Sequence, residues 1–180
     1  MNELEALAEL RRIKTAYQTF IRDNFESAAQ DCSVCPTFGV CCTDAHFVNV
    51  HITRLEAAAI RESIENNPNL SEEKKQSVFV RVQETIEKYD LKDAGDTFAQ
   101  TFACPLFDRK IGCLVHGDGA KPAPCIQHAC YENKQDLPPD CLQDAVENKI
   151  EKLNSAIYGE DWRWLPLPLV LADSENVTNC

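Results

Sequence analysis

The stretch CSVCPTFGVCC, residues 32–42, carries four thiols, the last two adjacent at Cys41 and Cys42. A second segment holds Cys104, Cys113, Cys125 and Cys130, so eight of the ten cysteines fall in two regions far apart in sequence. A free structural cysteine behaves as a small buried hydrophobe and would be scattered over helix faces. These stand beside Pro and Gly, where backbone amides can turn inward and stabilise a thiolate. Any fold for this chain has to accommodate two sulfur-rich loops, and no other feature restricts it as much.

What the sulfur means depends on the compartment. The N-terminus, MNELEALAELRRIK, places acids before its first basic residue and has no continuous apolar segment, so it does not read as a secretory signal. No apolar run is long enough to span a bilayer, and a membrane is not an expected partner. The expected location is the cytoplasm, where thiols are kept reduced. In a chain of 180 residues there, ten cysteines point to metal ligation or redox chemistry before a disulfide framework. Adjacent cysteines also pair badly with each other, because disulfide geometry strains the peptide between them. The net charge is −11 and the basic residues are interleaved with acids, which leaves no electrostatic footprint for a phosphate backbone. Nucleic acid is therefore not an expected partner either.

The length suits one domain, residues 1–180, with an N-terminal helix (1–30), a cysteine-cluster core (32–130) and a C-terminal helix with an extended tail (138–180). The expected class is mainly α: a single helical domain with a loop-built cysteine metal centre and a short extended segment. Leu4, Leu7, Leu10, Ile13, Tyr17, Phe20, Ile21, Phe25 and Ala28 recur at helical steps and predict one helix from 3 to about 29. HFVNVHIT, residues 46–53, reads as extended. Thr53 and Glu56 form a capping-box pattern for a helix from about 54 to 66. Another helix starts near Ser71, carries Val78, Val82, Ile86 and Tyr89 on one face, and ends around Asp90.

Residues 91–137 lose that periodicity and hold four of the six glycines, a composition suited to loops. The helical period returns after Pro138 and Pro139 and runs through Leu142, Val146, Ile150, Leu153 and Ile157 to a stop at Gly159. The tail, DWRWLPLPLVLADSENVTNC, reads as an apolar extended strip over the helices. Trp162, Trp164 and the Leu-Pro run would offer a protein partner a surface where the strip is uncovered, packing within the chain being the simpler expectation.

Cys32-x-x-Cys35 has the spacing of a metal knuckle, in which a tight turn brings two sulfurs to one ion at about 2.3 Å. A thioredoxin-like redox pair shares that spacing but belongs at a helix N-terminus in a βαβ context, whereas this pair follows a long helix and precedes a Pro-Gly turn. Eight clustered cysteines suffice for two closed four-thiolate zinc sites, each drawing on both regions. A [4Fe–4S] cluster needs only four. The bacterial ferredoxin run is absent, and Cys125-x4-Cys130 matches the plant-type opening without the C-x2-C that should follow. Zn2+ is thus the expected metal, with a [4Fe–4S] cluster or other iron as the alternative. His46, His51, His116 and His128 lie in or beside these regions, and His116, three residues after Cys113, is the best imidazole candidate. Cys141 and Cys180 read as bystanders.

The arrangement C32-x2-C35-x5-C41-C42, followed by VNVHITRLEAAAI and then CPLFDRKIGCLVHGDGAKPAPC, resembles the bacterial CxxCxxCC cysteine-cluster family of zinc- or iron-chelating proteins. That family has a paired-cysteine motif, an extended piece leading into a Thr-capped helix with a Glu in its first turn, and a downstream C…GC-x-I-Y…R-P-x-x-C block. The resemblance covers residues 32 to 128 and implies Cys32, Cys35, Cys41, Cys42, Cys104, Cys113 and Cys125 as ligands, with Cys130 added by clustering alone. The chain departs from the pattern at His116, where the family has Tyr, at Lys121, where it has Arg, and in a slightly longer loop between Cys113 and Cys125. Some members are named as flagellin lysine methylases. This chain has no Gly-x-Gly-x-x-Gly loop, Walker sequence, HExxH or Gly-x-Ser-x-Gly elbow, and shows no place for a methyl donor. An iron–sulfur electron carrier and a metal-dependent modifying enzyme such as a protein lysine methylase stand as alternatives to a metal-binding protein.

Overall fold

Asn2 and Glu5 close a capping box that starts α1 (Glu3–Asn24). The computed structural model, which describes residues 1–31, 34–46, 48–160 and 162–173, is mainly helical, and three of its longer helices start at side-chain caps. α1 buries Ala6, Leu10, Lys14, Tyr17 and Ile21, a narrower stripe than the apolar residues alone predict: Leu4 and Phe20 are 73% and 44% exposed. The helix also stops earlier than its periodicity suggests. Beyond Phe25 the chain makes a 3-10 turn (Glu26–Ala28) and then β1 (Ala29–Gln30), which pairs with β5 (Cys130–Tyr131). A pairing partner a hundred residues away leaves no trace in a local pattern, which is why the sequence overextends this helix.

The predicted capping box of the next long helix is present in both directions. Thr53 Oγ1 accepts the Glu56 amide at 3.2 Å, and Glu56 Oε2 accepts the Thr53 amide at 2.9 Å, which starts α3 (Arg54–Glu65). Asn154 Oδ1 adds a third acceptor, taking the Leu55 amide at 3.0 Å. Two of the helix's orphan donors are thereby satisfied within the core. Ser71 caps α4 (Glu72–Tyr89), and α6 (Asp140–Tyr158) ends at Gly159 with φ 83°, as its sequence predicts. α1 packs on α3 and α6. Within 46–53 the extended segment contracts to β2 (His51–Ile52), with Phe47 outside the described residues.

The tail corrects the sequence reading. Leu165–Pro166 forms β6, antiparallel to β2, and Leu167–Asp173 forms a helix, α7, instead of an extended strip. Pro168 looks like a breaker, but it is the second residue of that helix, where the missing N–H would have no partner in any case. Leu167, Val170 and Leu171 are buried where α7 crosses α3 and α4, and burying each large side chain contributes about 1.5–3 kcal/mol. Trp162 Nε1 donates to Ser155 Oγ at 2.7 Å, and its ring meets Trp164 edge-on at 5.8 Å. The apolar side chains expected as a strip are therefore spent inside the fold. No helix among the described residues is long and apolar enough to cross a membrane.

Candidate metal centre

Gly39 permits the first cysteine region to approach the second. Its φ of 80° favours glycine, and a Cβ there would lie 2.0 Å from the Phe107 ring. Directly after it, α2 (Val40–Thr43) is a single turn carrying Cys41 and Cys42, whose sulfurs stand 4.0 Å apart. The Cys104 amide donates to the Cys42 carbonyl at 2.7 Å, which joins the two regions through backbone. A hairpin then folds Cys113 back toward Cys104. β3 (Phe107–Asp108) pairs with β4 (Gly112–Cys113), Phe107 opposite Cys113, and the Leu114 amide donates to the Leu106 carbonyl at 3.0 Å. Asp108 sets the turn by accepting the Lys110 and Ile111 amides. Cys125 arrives on α5 (Ala123–Gln127), which packs on α1.

Five thiols, Cys41, Cys42, Cys104, Cys113 and Cys125, thus act on one another electrostatically. Burial pushes the Cys42 thiol up to about 12, helped by Cys41, Cys125 and Cys113. Burial and then Cys113 raise Cys125 to about 12, against the pull of Lys121 and Lys14. Cys104 is raised well above its ordinary value by burial and then by Cys125, while the Leu106 amide favours its thiolate. Cys113 is raised by burial, against the Val115 amide and Lys121. In both of these cases an amide two residues beyond the cysteine supports the anion, the inward turn that the Pro- and Gly-rich context predicts. Among the described residues, no three His, Cys, Asp or Glu side chains stand close enough together to hold a metal ion. The thiols share a neighbourhood without being closed onto one point.

The remaining candidates sit differently. Cys35 is partly buried, with Sγ 3.6 Å from Thr37 Oγ1, and Cys130 is exposed on β5 opposite Gln30. Cys141 is exposed near the start of α6. Cys32 and Cys180 lie outside the described residues. His51 is buried and stacked on Phe98 at 4.2 Å, with Nδ1 2.8 Å from the Asn49 carbonyl and Nε2 3.1 Å from that of Thr97. Both ring nitrogens face backbone oxygens, which suits a structural histidine. His46 is exposed. His116 and His128 are exposed residues whose imidazoles are held below the ordinary value, first by partial burial and then by Lys121.

The sequence reading missed a buried ion pair between α1 and α3. Lys14 Nζ lies 2.7 Å from Glu56 Oε1, with the side chains 0% and 1% exposed, and Lys14 also donates to the Ala120 carbonyl at 3.4 Å. Gly119, with φ 75°, lets this loop press on α1, where a Cβ would stand 2.8 Å from the Arg11 carbonyl oxygen. Removing one partner of such a pair costs about 3–5 kcal/mol. The signal was available: Lys14 continues the four-residue step Ala6, Leu10, Lys14, but its charge placed it on the solvent side.

The thiols also give the metal-free protein a pH dependence. A thiol held above its ordinary value of 9 keeps its proton in the fold after the unfolded chain has released it. Its contribution to stability is whole below the unfolded value and is lost as pH rises toward about 12. Tyr17 and Tyr158, raised to about 12 chiefly by burial, add the same sign from their ordinary value of 10 upward. Thermal unfolding with a chelator present is expected to show a midpoint that falls once the pH passes the ordinary thiol range, and a flat profile there would count against buried neutral thiols.

In comparisons with known proteins, no family model, no curated protein and no solved structure matches the chain.

Proposed function

We propose that the protein binds metal through cysteine thiolates, zinc in the first instance, and that the metal organises its two loop regions. The observation that carries this reading is the backbone bond from the Cys104 amide to the Cys42 carbonyl, which joins the two cysteine-bearing segments. Zinc would draw on Cys41, Cys42, Cys104, Cys113 and Cys125, with Cys35 at the edge. The 4.0 Å separation of the Cys41 and Cys42 sulfurs is near the roughly 3.8 Å edge of a tetrahedron with about 2.3 Å zinc–sulfur bonds. That spacing favours a single ion between adjacent thiolates. A bound zinc ion would replace the protons of these thiols and contribute directly to folding.

Elemental analysis of protein purified anaerobically under reducing conditions tests the reading. The expected result is a colourless protein containing zinc, with Co2+ substitution giving a thiolate charge-transfer band. A brown protein containing iron and sulfide would replace zinc by an iron–sulfur cluster. Absence of tightly bound metal, together with no Co2+ band, would end the proposal.

A further inference from the structure

The sulfurs of Cys41 and Cys42 stand 4.0 Å apart on the single turn of α2, and both residues are only partly buried. Adjacent residues keep their Cα atoms about 3.8 Å apart, below the about 4.4 Å at which disulfides usually begin, so the two sulfurs are close without a ready way to join. No third ligand completes the pair: among the described residues, no three His, Cys, Asp or Glu side chains stand close enough to hold an ion. The surroundings are apolar and open. Phe38 and Val40, just before the pair, are 51% and 42% exposed, the Phe38 ring lies 5.6 Å from that of Phe107, and Phe107 covers Gly39.

We propose that Cys41 and Cys42 form a vicinal dithiol site for a monosubstituted trivalent arsenical, a soft centre with one organic group and two positions to exchange. The proposal does not rest on the metal reading, although both draw on these two sulfurs. Sulfur is a soft ligand and suits such a centre. Two exchangeable positions match two sulfurs, whereas an inorganic trivalent arsenic oxyacid has three and calls for a third thiol. Phe38, Val40 and Phe107 supply apolar surface for the organic group. The step is a condensation. With phenylarsine oxide, each sulfur forms a bond to arsenic, the arsenic–oxygen bond breaks, and the oxygen leaves as water with both thiol protons. Arsenic stays trivalent, and nothing is oxidised or reduced. The adduct is neutral, so its partial burial needs no counter-ion.

One equivalent of phenylarsine oxide, added to the full chain kept reduced by a phosphine and with a chelator present, tests this. Digestion after phenylalanine and mass spectrometry locate the adduct. Cleavage after Phe38 and Phe47 releases residues 39–47, whose cysteines are Cys41 and Cys42, while Cys32 and Cys35 fall in residues 26–38. The expected result is one phenylarsenic group bridging both sulfurs of the 39–47 fragment. Arsenic on 26–38, or linking 39–47 to another fragment, overturns the proposal, and because this measurement uses the unaltered chain it does not depend on any variant folding. In Cys41→Ser the affinity should fall about 100-fold or more, the gain that a second attachment brings. Cys104→Ser should bind phenylarsine oxide as wild type does while losing its metal. Equal weakening in the two variants overturns the proposal, as does tighter binding of arsenite than of phenylarsine oxide. If wild type binds zinc but forms no adduct on 39–47, the dithiol site alone has failed; if it forms the adduct but binds no metal, the metal reading alone has.

Discussion

Cys42→Ser and Cys104→Ser are each expected to lose bound metal almost completely, exceeding the about 10–100-fold loss that follows changes in groups merely supporting a ligand. These two positions are informative because the bond between them runs from the Cys104 amide to the Cys42 carbonyl. Serine preserves that backbone contact and nearly the same volume, so the variants report on sulfur alone. Cys141→Ser is the control, since Cys141 is exposed on α6, and it should keep its metal. Cys130→Ser, exposed on β5, is also expected to retain most of it, which would reduce the ligand set below the eight that clustering alone counts. Metal content and chelator competition on the four variants give the answer. Equal losses at Cys42, Cys104 and Cys141 would show that the substitutions act through general destabilisation, and the ligand assignment would fall.

How far the sequence reveals this molecule depends on the range of the interactions involved. The Thr53–Glu56 box, the Ser71 cap and the stop at Gly159 are local, and each appears where the sequence puts it. The end of α1 and the course of the tail are set by distant partners, β5 and β2 respectively, and the sequence misreads both. The site divides in the same way. Clustering identifies the cysteines as a group. The approach of Cys42 to Cys104 depends on one backbone bond and on the fit of Gly39 against Phe107, neither of which has a composition signature. Lys14 escaped for a different reason: a lysine on a buried stripe is read as solvent-facing unless its partner is known, and Glu56 already had an evident role as a cap.

Removal of metal should divide the protein along the same line between loop-held and core-held parts. A structural zinc site is worth about 10–16 kcal/mol of apparent binding free energy, and that energy is folding energy for whatever the metal orders. Residues 34–46 and the hairpin 107–113 have little else to hold them, whereas 114–131 is anchored by buried Leu114, Val115, Ala120, Ala123 and Ile126 and by α5 packing on α1. α2 is a single turn, β3, β4 and β5 have two residues each, and Val34, Phe38, Val40 and Ile111 leave large apolar side chains exposed. The neighbouring segment 48–53 has independent anchors. The Phe102 amide donates to the Val48 carbonyl and the Leu167 amide to the Val50 carbonyl, and Ile52 is fully buried between β6 and the helices. Hydrogen exchange before and after chelation should therefore show amides of 34–46 and 107–113 losing protection by orders of magnitude, with α3, α4, α6 and β2 almost unchanged. The boundary near Val48 is the sharp part of the expectation, because it would separate chain held through a metal–sulfur centre from chain held through the hydrophobic core. Uniform loss of protection across the helices would mean that metal supports the whole fold, and unchanged protection in the two cysteine regions would mean that their sulfurs hold nothing together.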